Sequence, residues 1–419
     1  MQNYYPNHKL YAQGVSKEKI MNILILEPYF TGSHAAWAEG YVKHSQHNVE
    51  ILSMRGHFWK WRMHGGAATL AREFLVSDFA PDLLLATDIL DLTTFLALTR
   101  TETADIPTAI YFHENQLSYP WSSEDRDVLQ KRDKHYGFIN YVSALAADVV
   151  FFNSQYHLDS FLTELSRLLK HFPDYNELES VEQIKNKSSV LPLGLDLKRF
   201  DRYNPRQQKS KIANSESVLS KVEGSKIETP LILWNHRWEY DKNPGDFFQA
   251  LQILAKRGLD FKVAILGERF RQQPTEFVKA QAELGARVVH CGYVEDFATY
   301  AGWLWQADLL PVTSNQDFFG VSVMQALYCH CYPLLPRRLA YPELIPPKFH
   351  ADHFYSDFND LVERLETALR DVETIRQQSL RTVAARYDWT NIAPEYDAKF
   401  QKVGNFELPS PNRQNCVRI

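Results

Sequence analysis

The sequence predicts an α/β protein built from two Rossmann-like, doubly wound parallel-sheet domains facing a central cleft. Three observations carry that prediction. Short apolar runs alternate with stretches of helical spacing along nearly the whole chain, the pattern of parallel strands joined by crossover helices. At 419 residues and 45% hydrophobic content, the chain exceeds the roughly 250 residues that one core usually serves. A stretch near 201–229, rich in Ser, Lys, Asn and Gln, has hardly any apolar period and reads as a flexible linker between the two series.

Residues 1–20 are polar and aperiodic, a flexible leader, and the first domain runs over 21–200. A buried-strand pattern at 22–26 leads through Gly32, Ser33 and His34 into a helical run at 35–43. Gly32 permits close approach of a phosphate or sugar, and equally serves as a turn glycine. The segment 55–66, with Lys60, Trp61 and Arg62, interleaves cations with aromatics ahead of a helical run at 67–74. Bases can stack on exposed rings while cations meet phosphates, which makes it the best local RNA contact. The same composition suits a partly buried loop with snorkelling cations. Further strands fall at 83–86 and 106–112, and the second runs into His113-Glu114-Asn115-Gln116. Polar groups just past a strand end are placed to touch ligand, and His113 can hydrogen-bond a sugar hydroxyl. The mixed charges at 124–134 read as a solvated helical face, followed by strands at 149–152 and 188–193.

The second domain, 230–389, opens with a strand at 230–234 and a helix at 245–256. Arg237 and Lys242 flank the turn between them, where two fixed cations would offset a leaving diphosphate without a metal. Strands at 261–266, 287–291, 307–312 and 331–335 precede, in order, Gly267, Tyr293-Val294, the stretch 313–327, and Arg337. Within 313–327 Gly320 opens a helix, whose unpaired N–H groups and positive end suit a diphosphate. Asp317 in that turn can accept hydrogen bonds from sugar hydroxyls, and Gln325, eight residues on, can reach a ribose. An ordinary helix start with a solvated glutamine would look the same. A long helical region spans 361–386, and a last helix at about 390–405 could return to pack on the first domain.

The net charge of −5 carries no global signature of a nucleic-acid or membrane-surface binder, so an RNA partner would need a local basic patch. No window reaches the ~20 apolar residues of a membrane span and no secretory signal core is present, so a cytoplasmic protein is expected. Cys291, Cys329, Cys331 and Cys416 lack paired metal-site spacing.

The succession of Leu193-Gly194-Leu195-Asp196 with Phe200, Arg237 with Lys242, Leu266-Gly267-Glu268, Gly292-Tyr293-Val294, and Asp317-Phe318-Phe319-Gly320 with Gln325-Ala326 resembles the retaining GT-B glycosyltransferases of the family 4-like kind. Within these, Glu27-Pro28-Tyr29 with Gly32-Ser33-His34, Trp59-Lys60-Trp61-Arg62, His113-Glu114-Asn115-Gln116-Leu117 and Tyr341-Pro342-Glu343-Leu344 resemble the tRNA-queuosine mannosyltransferase family. The resemblance implies GDP-mannose as donor substrate, queuosine in the anticodon of tRNA for aspartate as acceptor, no cofactor or metal, and neither DNA nor membrane as partner. It implies His113 and Asp317 as catalytic residues and Arg237 and Lys242 on the diphosphate. The backbone of Phe318, Phe319, Gly320 and Val321 would meet mannose and phosphate, with Gly32 and Ser33 closing the phosphate side. Gly267, Tyr293 and Val294 would border the nucleotide, Gln325 its ribose, and His34, Lys60, Trp61, Arg62, Glu114 and Asn115 the acceptor. The family pattern usually has glutamate at both ends of the interval filled here by Asp317 and Gln325. The same chemistry with another nucleotide sugar or a non-tRNA acceptor, or a non-catalytic RNA-binding relative, are the alternatives.

Overall fold

The structure, a computed structural model, describes residues 19–122, 125–130, 135–205, 229–267 and 275–405. Most of the expected leader, most of the linker, Glu124, Lys134, Glu268 and Cys416 lie outside the described residues. The first sheet comprises β1 (Asn22–Phe30), β2 (Asn48–Arg55), β3 (Leu83–Thr87), β4 (Thr108–Phe112), β5 (Val149–Phe152) and β6 (Ser188–Val190). Its order is β2-β1-β3-β4-β5-β6, with every pairing parallel. The second comprises β7 (Leu231–Trp234), β8 (Lys262–Leu266), β9 (Val288–Gly292), β10 (Leu309–Pro311), β11 (Tyr332–Pro336) and β12 (Phe354–Tyr355). It too is parallel, in the order β12-β11-β10-β7-β8-β9. The inner strands β3, β4 and β7 are buried along their whole length, because helices cover both faces of a parallel sheet.

Strand order reverses direction between β1 and β3 in one sheet and between β7 and β10 in the other. At such a point the crossovers leave toward opposite faces and open a crevice at the strand C-termini. Two crevices are therefore fixed by topology alone.

Several elements depart from the sequence expectation. β2 was not anticipated, because as an edge strand it is largely half-exposed and lacks a continuous apolar run. The segment 55–66, expected as a loop, enters a helix at Trp59 (Trp59–Phe74), with Phe58 at φ 54° turning the chain into it. The region 361–386 is three helices, Phe358–Arg370, Val372–Gln377 and Arg381–Ala385, the first ended where Asp371 leaves helical geometry. The helix Gln155–Leu169 was not anticipated, although Leu158, Phe161, Leu165 and Leu169 form its buried stripe at helical spacing.

The last helix, Trp389–Gly404, lies on the first domain. The Trp37 indole N–H donates to the Tyr396 hydroxyl at 3.0 Å, and the Tyr41 hydroxyl to Asp397 at 2.9 Å. The Trp389 indole lies against Gly40 and Gly194, where a Cβ would come within 2.0 and 2.4 Å of it. The two crossings between domains also touch: Leu195 N donates to Tyr387 O at 2.8 Å, and Trp389 N to Leu195 O at 2.9 Å. Both crossings therefore run side by side at one place.

Candidate active site

The first crevice is lined by residues that follow β1, β3 and β4. Glu27, fully buried near the end of β1, accepts from Tyr29 N at 2.8 Å and from His34 Nδ1 at 3.0 Å. Burial alone would lower the His34 pKa, but the charge and hydrogen bond of Glu27, helped by Asp88 and Glu114, push it up to about 9. His34 is thus held as an imidazolium in the first turn of the helix Gly32–His44, beside the exposed Gly32 and Ser33. Asp88, just past β3, accepts from His113 N at 2.8 Å, and burial pushes its pKa up to about 8 against the pull of His34. The rings of His34 and His113 lie 4.3 Å apart. Burial and the charge on His34 keep His113 neutral.

The second crevice is lined by the turns after β7 and β10. Lys242 is 9% exposed; its Nζ donates to Gln316 O at 2.7 Å and lies 3.2 Å from Asp241 and 3.8 Å from Asp317. The Tyr341 hydroxyl donates to Asp317 at 3.0 Å. Arg237 is half-exposed, 3.2 Å from Glu239. Gly320, at φ 93°, is the residue from which the helix Val321–Tyr328 starts, and no side chain caps that helix. Its Cβ would stand 3.0 Å from the Tyr341 ring. At Gly267 a Cβ would collide with His236 O at 2.2 Å, so that glycine lets two turns touch.

The crevices face each other. The Tyr119 hydroxyl reaches Asp241 Oδ2 at 3.5 Å, Tyr240 hydrogen-bonds Pro120 O, and the His157 ring stacks on Phe318 at 4.0 Å. Buried polar atoms with no partner among the described residues gather on both walls: both ring nitrogens of His113, Asp88 Oδ2 and Asn115 Nδ2 on one, and His236 Nε2, Asn235 Oδ1 and Gln316 Nε2 on the other. Such atoms are costly in a dry interior, so this concentration makes the cleft between the walls the candidate site for a polar ligand.

Not every expected residue lies free at the cleft. The Lys60 ammonium is already paired with Asp125 at 2.6 Å and Asp127 at 2.5 Å and lies over Trp121, so it offers no unopposed charge to a phosphate. Arg62 donates to Arg55 O, whereas Trp61 is 62% exposed and offers an open ring. Asn115 Oδ1 is occupied by Leu117 N and Ser118, shaping its own turn, and Glu114 accepts from Gln116. Gln325 is held by the Tyr300 hydroxyl at 2.8 Å, so it must share that acceptor with any ribose. The Phe318 and Phe319 side chains are buried, so only their backbone could meet a ligand, and the Phe318 carbonyl already accepts from Ser154; Val321 and Val294 pack on the core and Tyr293 is 59% exposed. Asp88, Asn235 and His236 are not among the site residues expected from sequence, and Glu27 stands there only within the Glu27-Pro28-Tyr29 motif. Their signal is position: Asp88, Asn235 and His236 lie just past the C-terminal ends of β3 and β7, and Glu27 lies within the last four residues of β1, all beside a switch point.

Glu27, His34 and His113 bring one ligand atom each within 4.8 Å of one another, near enough for a cation. A metal there would have to replace the proton that His34 shares with Glu27.

Two Rossmann-type sheets meeting over one cleft, with cations and an open helix start on the second wall, define a glycosyltransferase of the GT-B type. Similar solved structures include the Anabaena protein HepE in complex with UDP and glucose, at 15% identity, TM-score 0.59, covering 91% of this chain and 100% of that one. A UDP-forming trehalose-phosphate synthase from Burkholderia xenovorans, at 13% identity and TM-score 0.62, covers 93% and 100%. The tRNA-queuosine alpha-mannosyltransferase N-terminal family matches residues 22–195, and glycosyl transferases group 1 matches 216–385. A Drosophila melanogaster tRNA-queuosine alpha-mannosyltransferase is 35% identical over 359 residues, 85% of this chain and 89% of that protein. The chain belongs to the tRNA-queuosine alpha-mannosyltransferase family.

Proposed function

We propose that this glycosyltransferase moves mannose from GDP-mannose to the cyclopentene-diol of queuosine in the anticodon of tRNA for aspartate, in the cytosol, with retention at the anomeric carbon. The observation that carries the reading is the pairing of walls. An imidazolium and a neutral histidine, His34 and His113, face a lysine, an arginine and the helix start at Gly320 across one cleft.

In this reading Lys242, Arg237 and the N–H groups beyond Gly320 take the diphosphate. Asp317, held by Tyr341, accepts from mannose hydroxyls, and a neutral His113 hydrogen-bonds the sugar from the other side. The acceptor hydroxyl attacks the anomeric carbon from the face the phosphate leaves, and the departing phosphate oxygen takes its proton. The protein then supplies position and charge stabilisation, with no carboxylate nucleophile and no metal. Trp61, exposed on the first domain, is a stacking face for an anticodon base.

The test is transfer of labelled mannose from GDP-mannose to bulk tRNA with and without queuosine, each with and without chelator. Label only in queuosine-containing tRNA, unchanged by chelator, is the expected outcome. Label in both tRNA pools, or in neither, overturns the acceptor. Activity lost to chelator and restored by a divalent ion overturns metal independence and makes Glu27, His34 and His113 the first residues to test as its ligands.

A further inference from the structure

Glu343 and Ser154 occupy neither wall of the cleft, yet they join the two domains beside it. The helix Gln155–Leu169 of the first domain points its N-terminus at the second, and its first three N–H groups lack partners within the helix. Glu343, on the helix Tyr341–Leu344 of the second domain, accepts from Gln155 N at 2.8 Å and Tyr156 N at 3.0 Å with its two carboxylate oxygens. Ser154 Oγ accepts from His157 N at 3.0 Å and donates to Phe318 O at 2.6 Å. One helix start is thus capped half by its own domain and half by the other, a carboxylate answering the positive end of the helix.

What the cap holds is the ligand-facing turn. Phe318 is the neighbour of Asp317, its carbonyl is fixed by Ser154, and its ring lies flat against His157. His157 Nδ1 donates to Asn153 Oδ1 at 2.9 Å, and Asn153 Nδ2 donates to His113 O at 2.9 Å. A continuous set of contacts therefore runs from His113 on one wall, through Asn153 and His157, to Phe318 and Asp317 on the other. Beside it lies a cavity of about 310 Å³ bordered by Ser154, Glu343, Tyr387 and Asn391, so Glu343 has room to let go without repacking a core.

We propose that Ser154 and Glu343 are positioning residues for sugar transfer: they form a clasp that exists only when the domains are closed and that sets the distance between His113 and Asp317. Neither touches substrate. The proposal rests on the mannosyl-transfer reading for its kinetic arm and stands apart from it for its shape arm.

The test compares S154A, S154T, E343A and E343Q, made in the full chain, by mannose transfer to queuosine-containing tRNA and by small-angle X-ray scattering without ligand. The expected result is a fall in kcat of tenfold or more for S154A and E343A, with KM for GDP-mannose within about threefold of the parent. S154T recovers most of the rate, because threonine keeps the hydroxyl, and E343Q, which keeps one acceptor oxygen, falls between. The radius of gyration of S154A and E343A exceeds that of the parent. Transfer at the parent rate with unchanged dimensions overturns the clasp, as does a loss in S154A that S154T fails to restore. If the parent transfers no mannose, the functional reading fails, and the scattering comparison still decides whether the clasp holds the domains together.

Discussion

Lys242 and His34 each lie against buried carboxylates, and each can be tested by one substitution. Lys242 is buried beside Asp241 and Asp317 and is the only lysine in the turns that line the second crevice among the described residues. Replacing it with methionine keeps the stem and removes the cation that, in the proposed function, meets the leaving diphosphate. The expected loss in kcat/KM for mannose transfer is on the order of 10²–10³-fold, about 3–4 kcal/mol, read by steady-state kinetics. For His34, Glu27→Gln removes the partner that offsets burial, so its titration, followed by NMR of the imidazole ring, moves down from about 9. The folded pKa lies above the unfolded value. The pair's contribution, on the order of 3 kcal/mol, is therefore fully present below pH 6.5 and lost as pH rises through about 9. Urea unfolding of parent and variant should differ most at pH 6 and converge above pH 9. The sequence displayed His34, His113, Lys242 and Asp317 because each follows a strand. It concealed that Lys60 is neutralised, since Asp125 and Asp127 lie more than sixty positions away and only folding brings them near.

Turns and helix starts carry the site at the next scale. Gly320 combines φ 93° with a neighbouring Tyr341 ring 3.0 Å from where a Cβ would be. Gly320→Ala must strain the turn or push Tyr341 off Asp317, at a cost of about 1–3 kcal/mol. Titration calorimetry with GDP should show weaker binding, together with a lower thermal midpoint. The inner strands could be read from sequence because burial on both faces makes them uniformly apolar, as at β3, β4 and β7. β2 could not, because one edge of it meets solvent and its side chains are mixed. The helix Gln155–Leu169 carries a legible stripe in Leu158, Phe161, Leu165 and Leu169, with polar residues between them that mask it as a continuous apolar run. Its role at the domain junction depends on Glu343, nearly two hundred positions away, which periodicity cannot reach.

Over the whole molecule, the two domains are not consecutive beads. The chain leaves the first at about Leu195, builds the second, and returns at Trp389 to finish the first. Trp389→Ala opens a cavity beside Gly40 and Gly194, and about 3–5 kcal/mol of stability should go with it, measured by urea unfolding. The loss should fall on the first domain, so hydrogen exchange should quicken at β1 and in the helix Gly32–His44 more than at β7.

That returning helix also bears on how the protein is made. The ribosome delivers Trp37 and Tyr41 early but withholds their partners Tyr396 and Asp397 until synthesis is nearly over. The N-terminal half must therefore wait, incomplete and with apolar surface uncovered, while the C-terminal half emerges and folds. A stalled or prematurely terminated product lacking only the final turns would leave the earlier-made half unsealed, whereas the later-made one would already be whole.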